Sequence, residues 1–247
     1  MKTKQKNIIK RFVDVLLSVL LLFLMAYQVT GENLHEWLGI GMTALVILHQ
    51  VLNAKWYGAL LKGKYHAFRI LQTAVNVLLL LSFAMTALCG MAMSAHAVPF
   101  LYGMLPVSFA RQMHLSLSHW AFVLMGLHLG LHLPLMFAKL SEKKQKAITV
   151  VFGIIAAVGL FFFLQNGLYR YLFFKAAFAF YDFEKAAVLV FAENLFILLF
   201  FSFLGMQAAT VCRYAPKRDE RKKSVFSLIV LLLAVIVGCV LFACGVV

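Results

Sequence analysis

Long runs of apolar residues, separated by short polar segments, recur along the whole chain of 247 residues. Crossing the hydrocarbon core of a bilayer takes about 20 residues of helix, and each run approaches or exceeds that length. Because a spanning segment must satisfy its own backbone hydrogen bonds, such runs predict helices rather than a β-barrel. We therefore predict an all-α integral membrane protein with about seven transmembrane helices, at residues 12–29, 34–54, 67–94, 112–137, 148–166, 187–211 and 224–246.

Two connections between these spans are unusual. Residues 90–111 are apolar and contain Pro99 and Pro106, which predicts a segment that lies on the membrane face or folds into it. Residues 169–185 mix aromatic with charged side chains, a composition typical of an interfacial helix. Neither an internal repeat nor a soluble domain of any size is visible in the sequence.

The basic residues are distributed unevenly between the loops. The chain has 23 Lys and Arg residues and a formal net charge of +14. Nineteen of them fall on the side of the membrane that holds the N-terminus, and four fall on the other side. This asymmetry predicts a cytoplasmic N-terminus and an external C-terminus, and it explains the charge without nucleic-acid binding.

Histidines divide the chain into two parts. All eight lie before residue 133. Residues 1–140 are therefore predicted to form one unit of four spans, and residues 141–247 a membrane extension of three further spans. No C-x-x-C motif is present, so covalent c-type haem and iron–sulfur clusters lack their ligands.

The second and fourth spans each carry two histidines fourteen residues apart: His35 with His49, and His114 with His128. At about 100° per residue, each pair falls about 40° short of four full turns, so both rings leave the same helix face. The rise of about 1.5 Å per residue separates them by about 21 Å. Both spans run inward, so His35 and His114 are expected to be level near the outer face, and His49 and His128 near the inner face.

Two level pairs of imidazoles on facing helices suit two b-type haems in a four-helix bundle, each iron taking one histidine from each span. Coordination closed in this way favours electron transfer over oxygen chemistry. Three glycines close to these histidines, Gly39, Gly126 and Gly130, would let a flat macrocycle approach the backbone.

Alternatives stay open around this pattern. His132 follows His128 by four residues on nearly the same face, so it could replace it as inner ligand or bind a propionate or a quinone. His119 lies about 140° around the helix from the outer histidine and is expected to face another surface. Arg69, near the inner haem level, and Arg111, near the outer one, could pair with haem propionates or serve as interfacial anchors.

Two carboxylates lie within apolar runs. Glu193, in the sixth span, is a candidate for proton transfer with quinol, or an interfacial solvated group. A contact to the basic N-terminus is the expected role of Asp14. No nucleotide-binding glycine loop, nucleophile–base pair or hydrolase metal motif appears, so a self-contained enzyme is not expected.

Four short motifs around the histidines, LHEWLG, ILHQVLNAKW, RQMHLSLSHW and GLHLGLH, resemble the flavinylation-associated cytochrome family of bacterial b-type membrane cytochromes. The resemblance covers about residues 8–140, with the motifs in the expected order. It implies haem-associated roles for the four paired histidines and places His132 inside the last motif. There Leu133 follows, instead of the tryptophan frequent in the family.

The resemblance further implies a role in a bacterial cytoplasmic membrane. The chain would pass electrons from quinol or an inner-face donor to an extracytosolic protein carrying covalently bound flavin, with inward flow to quinone left open. Glu32 and Glu36, with residues 90–111, are expected to form the docking surface above the outer histidines. The alternative is a transporter or assembly subunit whose histidines bind metal or relay protons, although interrupted helix pairs typical of a transporter are absent from the sequence.

Overall fold

The computed structural model describes residues 3–176 and 178–214. In this part of the chain every regular element is a helix. A short 3₁₀ helix, η1, covers Pro99–Leu101. The α-helices in chain order are α1 (Thr3–Met25), α2 (Tyr27–Leu52), α3 (Lys55–Leu60), α4 (Ala67–Met93), α5 (Val107–Phe137), α6 (Glu142–Gln165), α7 (Leu168–Leu172) and α8 (Ala187–Tyr214).

The six long helices of the described residues overlap the first six apolar runs, although α2 begins seven residues and α5 five residues before its predicted span. α1 and α6 begin earlier than predicted, because charged and polar residues at their N-terminal ends continue the helix. At α6 the chain turns from extended backbone at Ser141 (ψ 152°) into the helix, and Glu142 stands in its first turn, where a negative charge suits the helix dipole. The seventh predicted span, 224–246, lies outside the described residues.

Four helices of the described chain, α4, α5, α6 and α8, are long and apolar enough to cross a membrane. Large apolar side chains project from them into the surroundings; Ile154 on α6, for example, is 64% exposed. α1 is not among the four, since Lys10, Arg11 and Asp14 interrupt its apolar run, and the polar residues of α2 lower its mean hydropathy. The four apolar helices indicate a membrane protein whose outer surface contacts lipid.

The described residues fall into two compact units. Unit 1 lies within Met1–Lys64, Phe83–Leu117 and Phe178–Asn194, and unit 2 within Tyr65–Ser82, Ser118–Ala177 and Leu195–Val247. α1 and α2 belong to unit 1, α6 and α7 belong to unit 2, and α4, α5 and α8 contribute a part to each. The predicted division of the chain into functional parts at residue 140 stays a prediction.

In unit 1, α1 and α2 pack against each other and are joined at Ala26, which is fully buried. A kink at Gly31 interrupts α2, with φ 68° and ψ 174°, a conformation that residues with a Cβ rarely adopt. The straight part of α2 starts after this kink, so His35 stands near its beginning and His49 near its end.

Small residues also bring the unit 1 parts of α4 and α5 together. Cys89, Ala92 and Ala110 are fully buried in one apolar cluster, against which Met113 packs. Small side chains at a helix contact let two backbones approach closely, which is the usual way helices associate in lipid. This contact fixes the part of α5 that carries His114.

In unit 2, Gly126 and Gly130, two of the glycines predicted to face a haem, have a different role. A Cβ at Gly126 would stand 2.6 Å from Cβ of Phe201, and one at Gly130 would overlap the carbonyl oxygen of Ser202, both on α8. Gly126 and Gly130 therefore let α5 pack directly on the backbone of α8. The prediction that they give room to a macrocycle is wrong, because α8 fills that space.

This packing predicts a large loss of stability when Gly130 gains a methyl group. Gly130→Ala would force α5 and α8 apart, at a cost of about 3 kcal/mol, the upper part of the usual range for overpacking. The matched control is Gly153→Ala on α6, where a Cβ meets only the ring of Phe203 at 3.5 Å. Thermal unfolding in detergent should show a lower midpoint for Gly130→Ala alone; equal midpoints would contradict the close α5–α8 contact.

The segment 169–185 also differs from its prediction. Helix α7 covers only Leu168–Leu172, and its first and last residues are buried. Phe174 then adopts a positive φ of 57°, which is incompatible with a continuing α-helix. The described residues from there to the start of α8 form no regular element, so the interfacial helix is wrong beyond α7.

Candidate functional site

The outer histidine pair is brought together within unit 1. The ring centres of His35 on α2 and His114 on α5 lie 6.0 Å apart, and the angle between the two ring planes is 74°. Two imidazoles on opposite sides of one iron, each bonded at about 2 Å, have ring centres roughly 6 Å apart. The separation therefore suits one metal atom between the two rings.

The hydrogen bond of His114 determines which of its nitrogens can act as a ligand. Its Nδ1 lies 2.9 Å from the backbone carbonyl oxygen of Thr86 on α4. Since a carbonyl oxygen only accepts, Nδ1 donates and Nε2 carries the lone pair. Gly90, one turn further along α4, lies beside the ring: a Cβ there would be 3.1 Å from its Cε1.

His35 lacks a comparable partner. The Tyr27 ring packs against it edge-on at 5.1 Å between centres, and the backbone of Leu24 approaches it. Nevertheless Nδ1 is buried and makes no hydrogen bond of normal geometry within the described residues. A buried polar atom left in this way is costly, so the ring has a nitrogen to offer a ligand. At Gly39, one turn later, no described atom outside the neighbouring backbone of its own helix lies within 4 Å of a Cβ position. Its predicted role beside a macrocycle stays a prediction.

His49, the inner histidine of α2, is held by a carboxylate. Its Nδ1 lies 2.9 Å from Oδ1 of Asp14 on α1. Nδ2 of Asn53 approaches the other ring nitrogen, Nε2, at 3.4 Å, while Oδ1 of Asn53 accepts a hydrogen bond from Nζ of Lys10 at 2.8 Å. With Nδ1 donating to Asp14, Nε2 has the lone pair. A ligand at Nε2 would displace only the long contact from Asn53.

His128 is oriented in the same way within unit 2. Its Nδ1 lies 2.8 Å from Oδ1 of Asn76 on α4, so Nδ1 donates to the amide oxygen. His132 stands one turn later, its ring centre 5.0 Å from that of His128, and is exposed. The Asn76 bond orients His128 as a ligand histidine is usually oriented, and both residues stay candidates for inner ligand.

Three of the four paired histidines therefore direct Nδ1 to an oxygen acceptor. Metal-ligating histidines usually donate their second ring N–H to a carboxylate or carbonyl group, which fixes the tautomer and leaves Nε2 for the metal. At the outer pair, the 6.0 Å separation and the Nε2 lone pair of His114 are the features that suit an iron ligand. His49 belongs to unit 1 and His128 to unit 2, so the inner pair stays a prediction from their spacing.

The two predicted propionate partners make contacts with aromatic rings. The guanidinium carbon of Arg111 lies 5.7 Å from the Phe178 ring centre, and that of Arg69 lies 4.2 Å from the Tyr65 ring centre. Such cation–π contacts anchor a guanidinium beside an aromatic face. Their pairing with propionates stays a prediction.

Glu36 has a structural role that the sequence did not reveal. Its carboxylate accepts hydrogen bonds from Oγ of Ser94 at 2.7 Å and from three successive backbone N–H groups at 2.8–3.0 Å, those of Ala95, His96 and Ala97. The side chain is 11% exposed. Glu36 therefore holds residues 94–97 against α2 beside His35, and the expectation that it forms a docking surface is wrong. Glu32 is exposed, as a docking residue requires.

Glu193 is buried in α8 and forms an ion pair with Lys185, whose Nζ lies 2.6 Å from its carboxylate. It is therefore not a solvated interfacial group.

His119 stacks on the Tyr171 ring in unit 2, with 4.5 Å between the ring centres. This contact explains the position of the His119 ring without a metal.

Comparisons of the chain with known protein families, with curated proteins and with solved structures give no match.

Proposed function

We propose that the chain is a di-haem b-type membrane cytochrome that transfers electrons across a bacterial cytoplasmic membrane. The observation that carries this proposal is the outer pair: two imidazoles with ring centres 6.0 Å apart, one fixed by Thr86 and the other with a buried Nδ1 that makes no hydrogen bond of normal geometry among the described residues. An isolated intramembrane histidine needs only one polar partner. Two facing imidazoles at this separation, one of which carries its lone pair on Nε2, are better explained by a shared metal.

The residues that would hold the cofactors follow from this arrangement. His35 and His114 would bind the outer haem b, and His49 would bind the inner one with His128 or His132. Haem supplies a one-electron carrier at each site. The hydrogen bonds to Thr86, Asp14 and Asn76 orient the ligand rings.

Orientation and partners come from the sequence. The excess of Lys and Arg on alternate loops supports seven spans, a cytoplasmic N-terminus and an external C-terminus. Quinol or an inner-face donor would deliver electrons, and the motif resemblance supports an extracytosolic flavin-bearing protein as acceptor. Exposed Glu32 remains available for brief docking of such a partner, which needs little contact area.

The haem content of the purified full-length chain tests this proposal. Protein produced in cells with a sufficient haem supply should contain about two non-covalent haems per chain, measured as the pyridine haemochrome. A metal transporter or assembly subunit would instead contain no haem and would retain zinc or copper in elemental analysis. That result would overturn the proposal.

A further inference from the structure

At the two ends of α2, the candidate ligand histidines donate hydrogen bonds to acceptors of different charge. His49 donates its Nδ1–H to the carboxylate of Asp14 at 2.9 Å. At the other end, His114, which faces His35, donates to the neutral backbone carbonyl of Thr86, also at 2.9 Å. All of these residues belong to unit 1. The two hydrogen bonds have the same length and differ in the charge of the acceptor. Glu36, the carboxylate beside His35, bonds to Ser94 and to backbone N–H groups.

A negative charge bonded to a ligand imidazole makes that ligand more basic and stabilises the more positive state of the metal. For iron this favours the oxidised form, so the reduction potential falls. Lys10 opposes the effect, since its ammonium group donates to Asn53, which also bonds to the backbone oxygen of His49. Lys10 acts through the Asn53 amide, whereas Asp14 bonds to the ring itself, so the negative charge has the larger influence.

We infer that Asp14 is a positioning residue that lowers the reduction potential of an iron held by His49 below that of an iron held by His114. This inference rests on the proposed function. It would give electron transfer a direction: one electron would leave a ferrous iron held by His49 and reduce a ferric iron held by His114. With the N-terminus in the cytoplasm, this direction is outward.

Redox titration of the purified protein, followed in the haem absorption bands, tests the inference. Asp14→Asn keeps the shape of the side chain and removes its charge. We expect the midpoint potential of the lower-potential haem to rise by at least about 59 mV. For one electron, this corresponds to a tenfold change in the ratio of oxidised to reduced iron. Asp14→Glu should restore most of the difference, and the upper midpoint should not move.

Two further variants complete the design. Glu142→Gln removes an exposed acid in the first turn of α6 and should leave both midpoints unchanged. The His114→Ala background, which retains the His49 site, assigns the midpoint to its haem. If Asp14→Asn does not retain haem, Lys10→Gln decides the question, because removal of the opposing positive charge should lower the same midpoint.

The possible failures are distinguishable. Wild-type protein without haem would overturn the proposed function and this inference with it. Protein that contains two haems but shows an unchanged lower midpoint in Asp14→Asn would overturn the inference alone. Where Asp14→Asn loses haem, an unchanged lower midpoint in Lys10→Gln would do the same. So would assignment of the lower midpoint to the His114 iron.

Discussion

His114→Ala is expected to bind about half as much haem per chain as the unaltered protein. The substitution removes one of two facing imidazoles whose ring centres lie 6.0 Å apart, and the remaining ring of His35 cannot close the coordination alone. The pyridine haemochrome of purified protein, divided by its protein content, measures the loss. His35→Ala should give the same result, because each iron needs both of its ligands.

The matched control is His119→Ala, five residues along the same helix. His119 stacks on Tyr171, so its removal should leave the haem content nearly unchanged. Circular dichroism of both variants shows whether the helices remain intact. Full haem retention in folded His114→Ala would mean that the outer pair does not bind an iron.

Reduction of an enclosed flavin should stop in His35→Ala. Inverted membrane vesicles that contain the unaltered protein receive dithionite on the outside, which corresponds to the cytoplasmic face, and hold flavin mononucleotide in the lumen. Electrons must leave through the outer histidine pair, because an iron closed by two imidazoles reacts only by passing an electron on. Loss of the flavin absorbance reports the transfer, with valinomycin and potassium present to compensate the moving charge.

Vesicles that lack the protein give the rate of leakage, and vesicles with His119→Ala control for the substitution itself. We expect His35→Ala vesicles to match the leakage rate and His119→Ala vesicles to match the unaltered protein. Unchanged flavin reduction in His35→Ala would show that the electrons take another route.

The positions of the long helices could be predicted because apolar run length alone decides them. Helix ends were less predictable: α1 and α6 begin within charged segments that periodicity treats as loops. The segment after α7 failed for a different reason. Its aromatic and charged composition suits an interfacial helix, but Phe174 takes a positive φ, and no composition rule anticipates that backbone conformation.

The histidine pairs were visible in the sequence because fourteen residues nearly complete four helical turns. The groups that orient the rings were not. Thr86 acts through its backbone carbonyl, which any residue possesses, so it left no signal in the sequence. Asp14 and Asn76 did leave one, since each is a polar residue inside an apolar run, but spacing along one helix cannot show which neighbouring helix they face.

Glycines illustrate the same limit. Gly39 lies four residues after His35, Gly130 lies two residues from both His128 and His132, and both glycines are predicted to leave room for a macrocycle. The structure separates them, because Gly39 faces open space among the described residues whereas Gly130 touches the backbone of α8. Which partner fills the space beside a small residue is a property of the packing, not of the local sequence.

The reduced absorption spectrum, recorded before and after addition of carbon monoxide, tests the central claim most directly. Haem b closed by two histidines on each iron should give a sharp low-spin α band after reduction with dithionite, and carbon monoxide should leave that band unchanged. A protein with no haem band would contradict the claim. So would a spectrum that carbon monoxide shifts, because it would show an open coordination position that two imidazoles do not leave.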